Sequence, residues 1–231
     1  MKQALLAALL GAFIFLSSTA SGQSSKNISG QNTYVSKSAH TYLDLMINVV
    51  STSINYGYAN TSLSDYKKFG NGIQAGASFQ AGITPGFSLV SELYFMRKGG
   101  KLKTNNPLTT TESSLRLNTV ELPILARFHF GSFYMNGGPS IAYTISGERK
   151  IDNKSTKISF DNSPEGYKRV EASIQVGAGY EFSFRKRRIA LDIRYNYGLT
   201  DITNNKEMYN RALMISVHFS KAWRTNPLGI N

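Results

Sequence analysis

The sequence has no cysteine in its 231 residues. That one absence excludes disulfides, thiolate metal sites, cysteine nucleophiles and a lipid-bearing N-terminal cysteine. Histidine is scarce: only His40, His129 and His218 occur, and none stands at metal-ligand spacing. No metal and no cofactor is therefore expected. G-x-S-x-G, H-E-x-x-H, Walker and dinucleotide fingerprints are missing as well, so no enzyme is predicted from motifs. Acidic residues are few, 14 against 26 Lys and Arg, which leaves a net charge of +12. A balance that basic first suggests nucleic acid, anionic lipid or another polyanion. Long apolar runs are lacking beyond Ala4–Leu16, which is shorter than the roughly 20 residues a membrane helix needs.

That short run follows Met1-Lys2-Gln3 and precedes the small, polar stretch Ser17–Gln23, with Ala20 and Gly22 placed for cleavage. This is the order of a secretory signal peptide, expected over 1–22. Export removes nucleic acid as a partner and keeps lipid.

What the mature chain does have is alternation. In Val170–Phe184 one set of positions is apolar without a break, and the other is polar or glycine. Strand side chains point to opposite faces in turn, so this is a strand with one greasy and one wet face. At about 3.3 Å per residue it spans some 50 Å, against the usual ~17–20 Å. Similar runs recur along the chain, centred on Leu43–Val49, Ile73–Ile83, Phe87–Phe95, Leu115–Phe130, Phe133–Ser146, Ile189–Tyr197 and Leu213–Phe219. Pro123 removes a ladder donor, and a bulge is expected there.

Connections alternate in length. Ser51–Gly70, Arg97–Ser113, Gly147–Lys168 and Asp201–Glu207 are loops, whereas Thr84-Pro85-Gly86, Gly131-Ser132 and Arg185–Arg188 are turns. Aromatic residues gather toward both strand ends, as interfacial girdles would. The pattern predicts an all-β fold: an eight-stranded antiparallel up-and-down transmembrane β-barrel with short periplasmic turns and long outer loops. The barrel is expected over 42–220, between a flexible periplasmic arm at 23–41 and a C-terminal tail at 221–231. A soluble lipocalin-type barrel, with its apolar residues inward, is the alternative.

Two segments add a family likeness. Asn118-Thr-Val-Glu-Leu-Pro-Ile-Leu-Ala-Arg-Phe128, followed after a short turn by Gly137-Gly-Pro-Ser-Ile-Ala-Tyr143, resembles the outer membrane beta-barrel (PorT-like) proteins of Bacteroidetes. The resemblance runs over about Tyr42 to Phe219. It implies an outer-membrane barrel and raises a role beside partners of a protein secretion system.

If the apolar faces meet lipid, the polar faces fill the lumen. Eight strands leave an interior wide enough only for side chains. Glu92, Glu121, Arg127, Glu171, Glu181, Asp192 and Arg194 are the expected polar network, with carboxylates around Arg127 and Arg194 because unpaired buried charge is costly. A path for protons or small ions through the same groups is the alternative. Lys98, Lys101, Lys103, Arg149, Lys150, Lys154 and Lys157 are expected on outer loops, as candidates for binding lipopolysaccharide phosphate. The expected role is structural or surface-interacting at the cell outer membrane. The alternatives are a component of a secretion or transport assembly and a lipid-modifying enzyme using His129 or His218.

Overall fold

A computed structural model describes residues 41–184, 187–205 and 207–221. The signal peptide, nearly all of the periplasmic arm, and the tail beyond Lys221 lie outside the described residues. So do Arg185, Lys186, Lys206 and the side chains of Ala59, Ser183, Phe184, Arg187 and Lys221.

Eight long strands follow one another: β1 Tyr42–Tyr56, β2 Gly70–Thr84, β3 Phe87–Leu102, β4 Ser113–Phe130, β5 Phe133–Ile151, β6 Val170–Phe184, β7 Arg187–Gly198 and β8 Met208–Lys221. Each pairs antiparallel with its neighbours in sequence. β1 pairs with β8, from Asp44↔Ser220 to Tyr56↔Met208, so the sheet closes on itself. Closure removes every open edge, as an apolar solvent demands of a sheet. Among the described residues no helix is long and apolar enough to cross a membrane.

The alternating pattern places its two faces as a transmembrane barrel requires. Leu45, Ile47 and Val49 on β1 are exposed, while Asp44, Met46 and Asn48 between them are buried. Ile174 and Val176 on β6 point out, and Ser173 and Gln175 point in. The lipocalin-type arrangement is thereby overturned. Outward aromatics ring the short-turn rim, where Phe87 and Phe128 stack at 5.2 Å and Phe130 and Phe133 at 6.4 Å. Phe95, Tyr195 and Tyr197 are half-exposed nearer the long connections.

The strands run further than the hydrophobic pattern reaches. β1 continues to Tyr56, and a 3-10 helix, Tyr58–Tyr66, fills most of the first long connection. β3 reaches Leu102 and β5 reaches Ile151, where a hairpin with Lys154–Lys157 extends it. Polar residues continue these strands because backbone pairing, not lipid contact, holds them there. The bulge expected at Pro123 is absent. The β3–β4 ladder skips Glu92 and Leu93 and resumes with its register unchanged, from Ser91↔Ile124 to Tyr94↔Glu121. The register shift in β4 lies instead between Asn118 and Thr119, against β5.

Candidate functional site

The barrel interior holds the one dense set of charges. Six carboxylates (Asp44, Glu92, Glu121, Glu171, Glu181 and Asp192) meet four cations (Lys98, Arg127, Arg188 and Arg194) among the described residues. They fall into three tiers along the axis.

The middle tier is built on Arg194 of β7. Its Nη1 and Nη2 donate to the two oxygens of Glu92 at 2.7 and 2.9 Å, and its Nε donates to Asp192 at 2.8 Å. This two-pronged geometry is the strong form of the guanidinium–carboxylate pair. Asp192 also accepts from the Tyr134 hydroxyl at 3.0 Å and from Asn136 at 2.8 Å. His218, 1% exposed, places Nδ1 3.8 Å from Asp44.

Toward the short-turn rim, Arg188 donates to Asp44 at 2.9 Å, to Gln80 at 3.1 Å and to Glu181. Arg127 donates to Gln80 at 2.9 Å and lies 4.0 Å above the Tyr134 ring. Its carboxylate neighbours are more distant, Asp192 at 3.7 Å and Glu181 at 3.8 Å. A ring face and an amide thus do for Arg127 part of what a ring of carboxylates was expected to do. Ser88 Oγ lies 2.9 Å from His129 Nε2, and the same hydroxyl accepts from Gln80 at 3.2 Å. Ser88 is 2% exposed.

Toward the long-loop rim, Lys98 sits between Glu121 and Glu171, its Nζ 3.3 Å from Glu171 and paired directly with Glu121. Tyr94 donates to Glu121 at 2.9 Å, Gln175 donates to Tyr94 at 2.7 Å, and Asn210 donates to Glu171 at 2.8 Å. Above this tier an apolar layer of Ile54, Leu115, Leu117, Ile202 and Met208 crosses the mouth. A second apolar patch, including Met46, Met96 and Met214, lines the wall on β1, β3 and β8.

Two expectations need correction. Lys98 was expected on an outer loop as an anion ligand, but it is 2% exposed and points into the lumen. β3 continues past it, and its parity is that of Glu92, Tyr94 and Met96. The Arg185–Arg188 turn likewise gives up Arg188, which belongs to β7 and is 5% exposed. It shares the inward parity of Ala190, Asp192 and Arg194, so extending the alternation by one step would have found it. Lys101 and Arg149 are half-buried, and Lys103, Lys150, Lys154 and Lys157 are exposed. Lys150, Lys154 and Lys157 ride on the β5 hairpin, whereas Lys103 follows the end of β3 and donates to the Asp65 carbonyl at 3.4 Å. The structure brings together only part of the expected loop set.

Removing the Lys98 charge tests the upper tier. Lys98→Met should leave Glu121 and Glu171 facing each other without their shared cation. It should lower the unfolding free energy by about 3 kcal/mol. A urea titration of the folded barrel reads this, and adding Glu121→Gln and Glu171→Gln should restore most of the loss.

A closed antiparallel barrel with lipid-facing apolar bands and a charged interior is an outer-membrane β-barrel protein. The chain belongs to the family described as outer membrane protein beta-barrel domain, whose model matches residues 44–204. Among solved structures it is similar to the attachment invasion locus protein Ail of Yersinia pestis, at 12% identity and TM-score 0.43, covering 78% of this chain and 99% of that one. Neisserial surface protein A is similar at 9% identity and TM-score 0.46, covering 78% and 97%. OprG of Pseudomonas aeruginosa is similar at 11% identity and TM-score 0.43, covering 80% and 98%. No curated protein sequence matches the chain.

Proposed function

We propose that this outer-membrane barrel is a structural and surface-interacting protein whose lumen is plugged by its own ion pairs. The observation that carries the reading is the two-pronged Arg194–Glu92 pair, with Asp192 on the third guanidinium nitrogen, set across the middle of the interior. An ion entering that tier would have to separate buried, mutually hydrogen-bonded charges, which costs several kcal/mol. The pairing therefore favours a plug over a path for protons or small ions. The long-loop rim is then the working end, and its exposed lysines face anionic lipid or lipopolysaccharide.

Planar-bilayer recording tests this directly. The purified barrel should give no discrete conductance steps, and Arg194→Ala combined with Glu92→Ala should introduce them. Steps of similar size from the unaltered protein would overturn the plug. Service in a secretion assembly, raised by the PorT-like segments, is the second reading, and copurification of a stable partner from the outer membrane would support it. A lipid-modifying activity would rest on His129, whose ring nitrogen lies 2.9 Å from the Ser88 hydroxyl. Loss of such an activity in His129→Gln would be its signature.

A further inference from the structure

Toward the long connections the barrel wall loses its pairing between β2 and β3. The β2–β3 ladder runs from Thr84↔Phe87 to Gln74↔Met96 and then lapses. It resumes between the short strand Lys67–Lys68 and the end of β3, as Lys68↔Lys101 and Lys67↔Leu102. Residues 69–73 thus oppose only 97–100, five against four, with no paired positions between them. The flanking ladders stay paired at this level: β1–β2 continues to Thr52↔Gly70, and β3–β4 runs unbroken from Tyr94↔Glu121 to Leu102↔Ser113. The break begins where the outward residues change from Ile73 and Phe95 to Asn71 and Arg97. Unpaired backbone is too costly in hydrocarbon, so a lapse is tolerable only from this level outward, where headgroups begin.

Glycine lines the gap. Gly70, Gly72, Gly99 and Gly100 surround it, and Gly99, at φ 127°, would drive a Cβ into the Leu115 carbonyl. Beside the lapse lies a cavity of about 170 Å³, lined by Arg97, Lys101 and Arg116 among others. None of these three makes a salt bridge among the described residues. Arg97 is bonded to the amide oxygen of Asn118 at 3.2 Å, and Glu112, the carboxylate near Lys101, is held by Lys68 at 2.8 Å. Inside, the cavity shares Gly100, Ser114 and Leu115 with a second one of about 80 Å³ under the long connections. Tyr56, Leu63, Leu102, Tyr167 and Met208 give that inner cup an apolar side, and Asn60, Arg149, Glu165 and Thr203 a polar one.

Cations outside, an unpaired stretch of wall and a partly apolar cup within adjoin at Gly100, Ser114 and Leu115. We propose that this junction binds a single-chain anionic amphiphile. The carboxylate or phosphate head pairs with Arg97, Lys101 and Arg116, and the chain passes inward over Gly100 into the cup. Both volumes lie below the roughly 300–1,000 Å³ of drug-sized sites, which restricts the ligand to one short chain and excludes a multi-chain lipid. Entry is from the outer headgroup layer, since the lapse opens sideways at that level.

The test is an NMR titration of isotope-labelled barrel in nanodiscs, following the amides of Gly99, Gly100 and Leu115. Decanoate and decyl phosphate should shift all three amides saturably, decanol should bind at least about tenfold more weakly, and inorganic phosphate should shift none of them. R97S combined with R116S should bring decanoate down to the decanol level. Gly70→Leu should weaken both ligands by filling the cavity; its Cβ meets Thr52 Oγ1 at 3.5 Å, an ordinary contact. Retained heat modifiability on detergent gels certifies that each variant is folded. Equal binding of decanol and decanoate would overturn the role of the cations. Shifts with phosphate alone, undiminished in Gly70→Leu, would reduce the feature to a surface charge cluster and overturn the site.

Discussion

Arg194→Ala should lower the unfolding free energy of the barrel by about 3–5 kcal/mol, the largest loss expected from any single substitution in the lumen. The guanidinium is fully enclosed and satisfies Glu92 with two hydrogen bonds and Asp192 with a third. Its removal leaves Glu92 buried without its cation, and Asp192 retains only Tyr134, Asn136 and the more distant Arg127. The measurement is a reversible urea titration in detergent, read by heat modifiability and circular dichroism. A triple replacement, with Arg194→Met, Glu92→Met and Asp192→Leu, should recover most of the loss, because an apolar trio of similar volume removes the charges along with their pairing. If Arg194→Ala alone costs less than about 1 kcal/mol, water solvates the tier freely and the plug reading fails with it.

Gly179→Val should cost about 3 kcal/mol or more through overpacking. Gly179 faces inward on β6, directly opposite Tyr134 of β5 and Asp192 of β7. A Cβ at this position would overlap the Tyr134 ring and hydroxyl. The same device recurs: Tyr94 lies opposite Gly76, and Arg194 lies opposite Gly177. In each case a missing side chain makes room for a large neighbour that lies along the inner face to reach its partner. Gly179→Val displaces Tyr134, which should break its bond to Asp192 and leave Arg127 without its ring. The folded, heat-modifiable form should fall sharply, whereas Gly86→Ala, at a turn with nothing near the added Cβ, should leave it unchanged. Comparable loss in the two variants would show that glycine conformation, and not the ring contact, is what matters.

These two cases mark the limit of what alternation alone can tell. The period of two along Val170–Phe184 dictates which face meets lipid, since a strand side chain has only two directions available. Strand number, the inward direction of Glu92, Glu121, Glu171, Asp192 and Arg194, and the alternating connection lengths followed from the same local rule. Lys98 and Arg188 were open to it too. Both continue an inward parity; Lys98 before two glycines resembles a loop, and Arg188 at the end of a basic run resembles a turn. Strand ends are hard to read where the apolar signal stops but backbone pairing goes on, as at β1, β3 and β5.

Pairing across the barrel lies beyond any local rule. Arg194 and Glu92 are 102 residues apart, and Lys98 and Glu171 are 73 apart; closure and strand tilt decide that they meet. The lapse between β2 and β3 is likewise invisible in sequence, since it arises from two ladders whose registers differ by one residue where they join. By itself the sequence determined the two faces, the membrane and the charge content of the interior, because each depends on residue type and a period of two. The tertiary structure alone decided which charges pair and where the wall opens, because both depend on register between strands far apart in the chain.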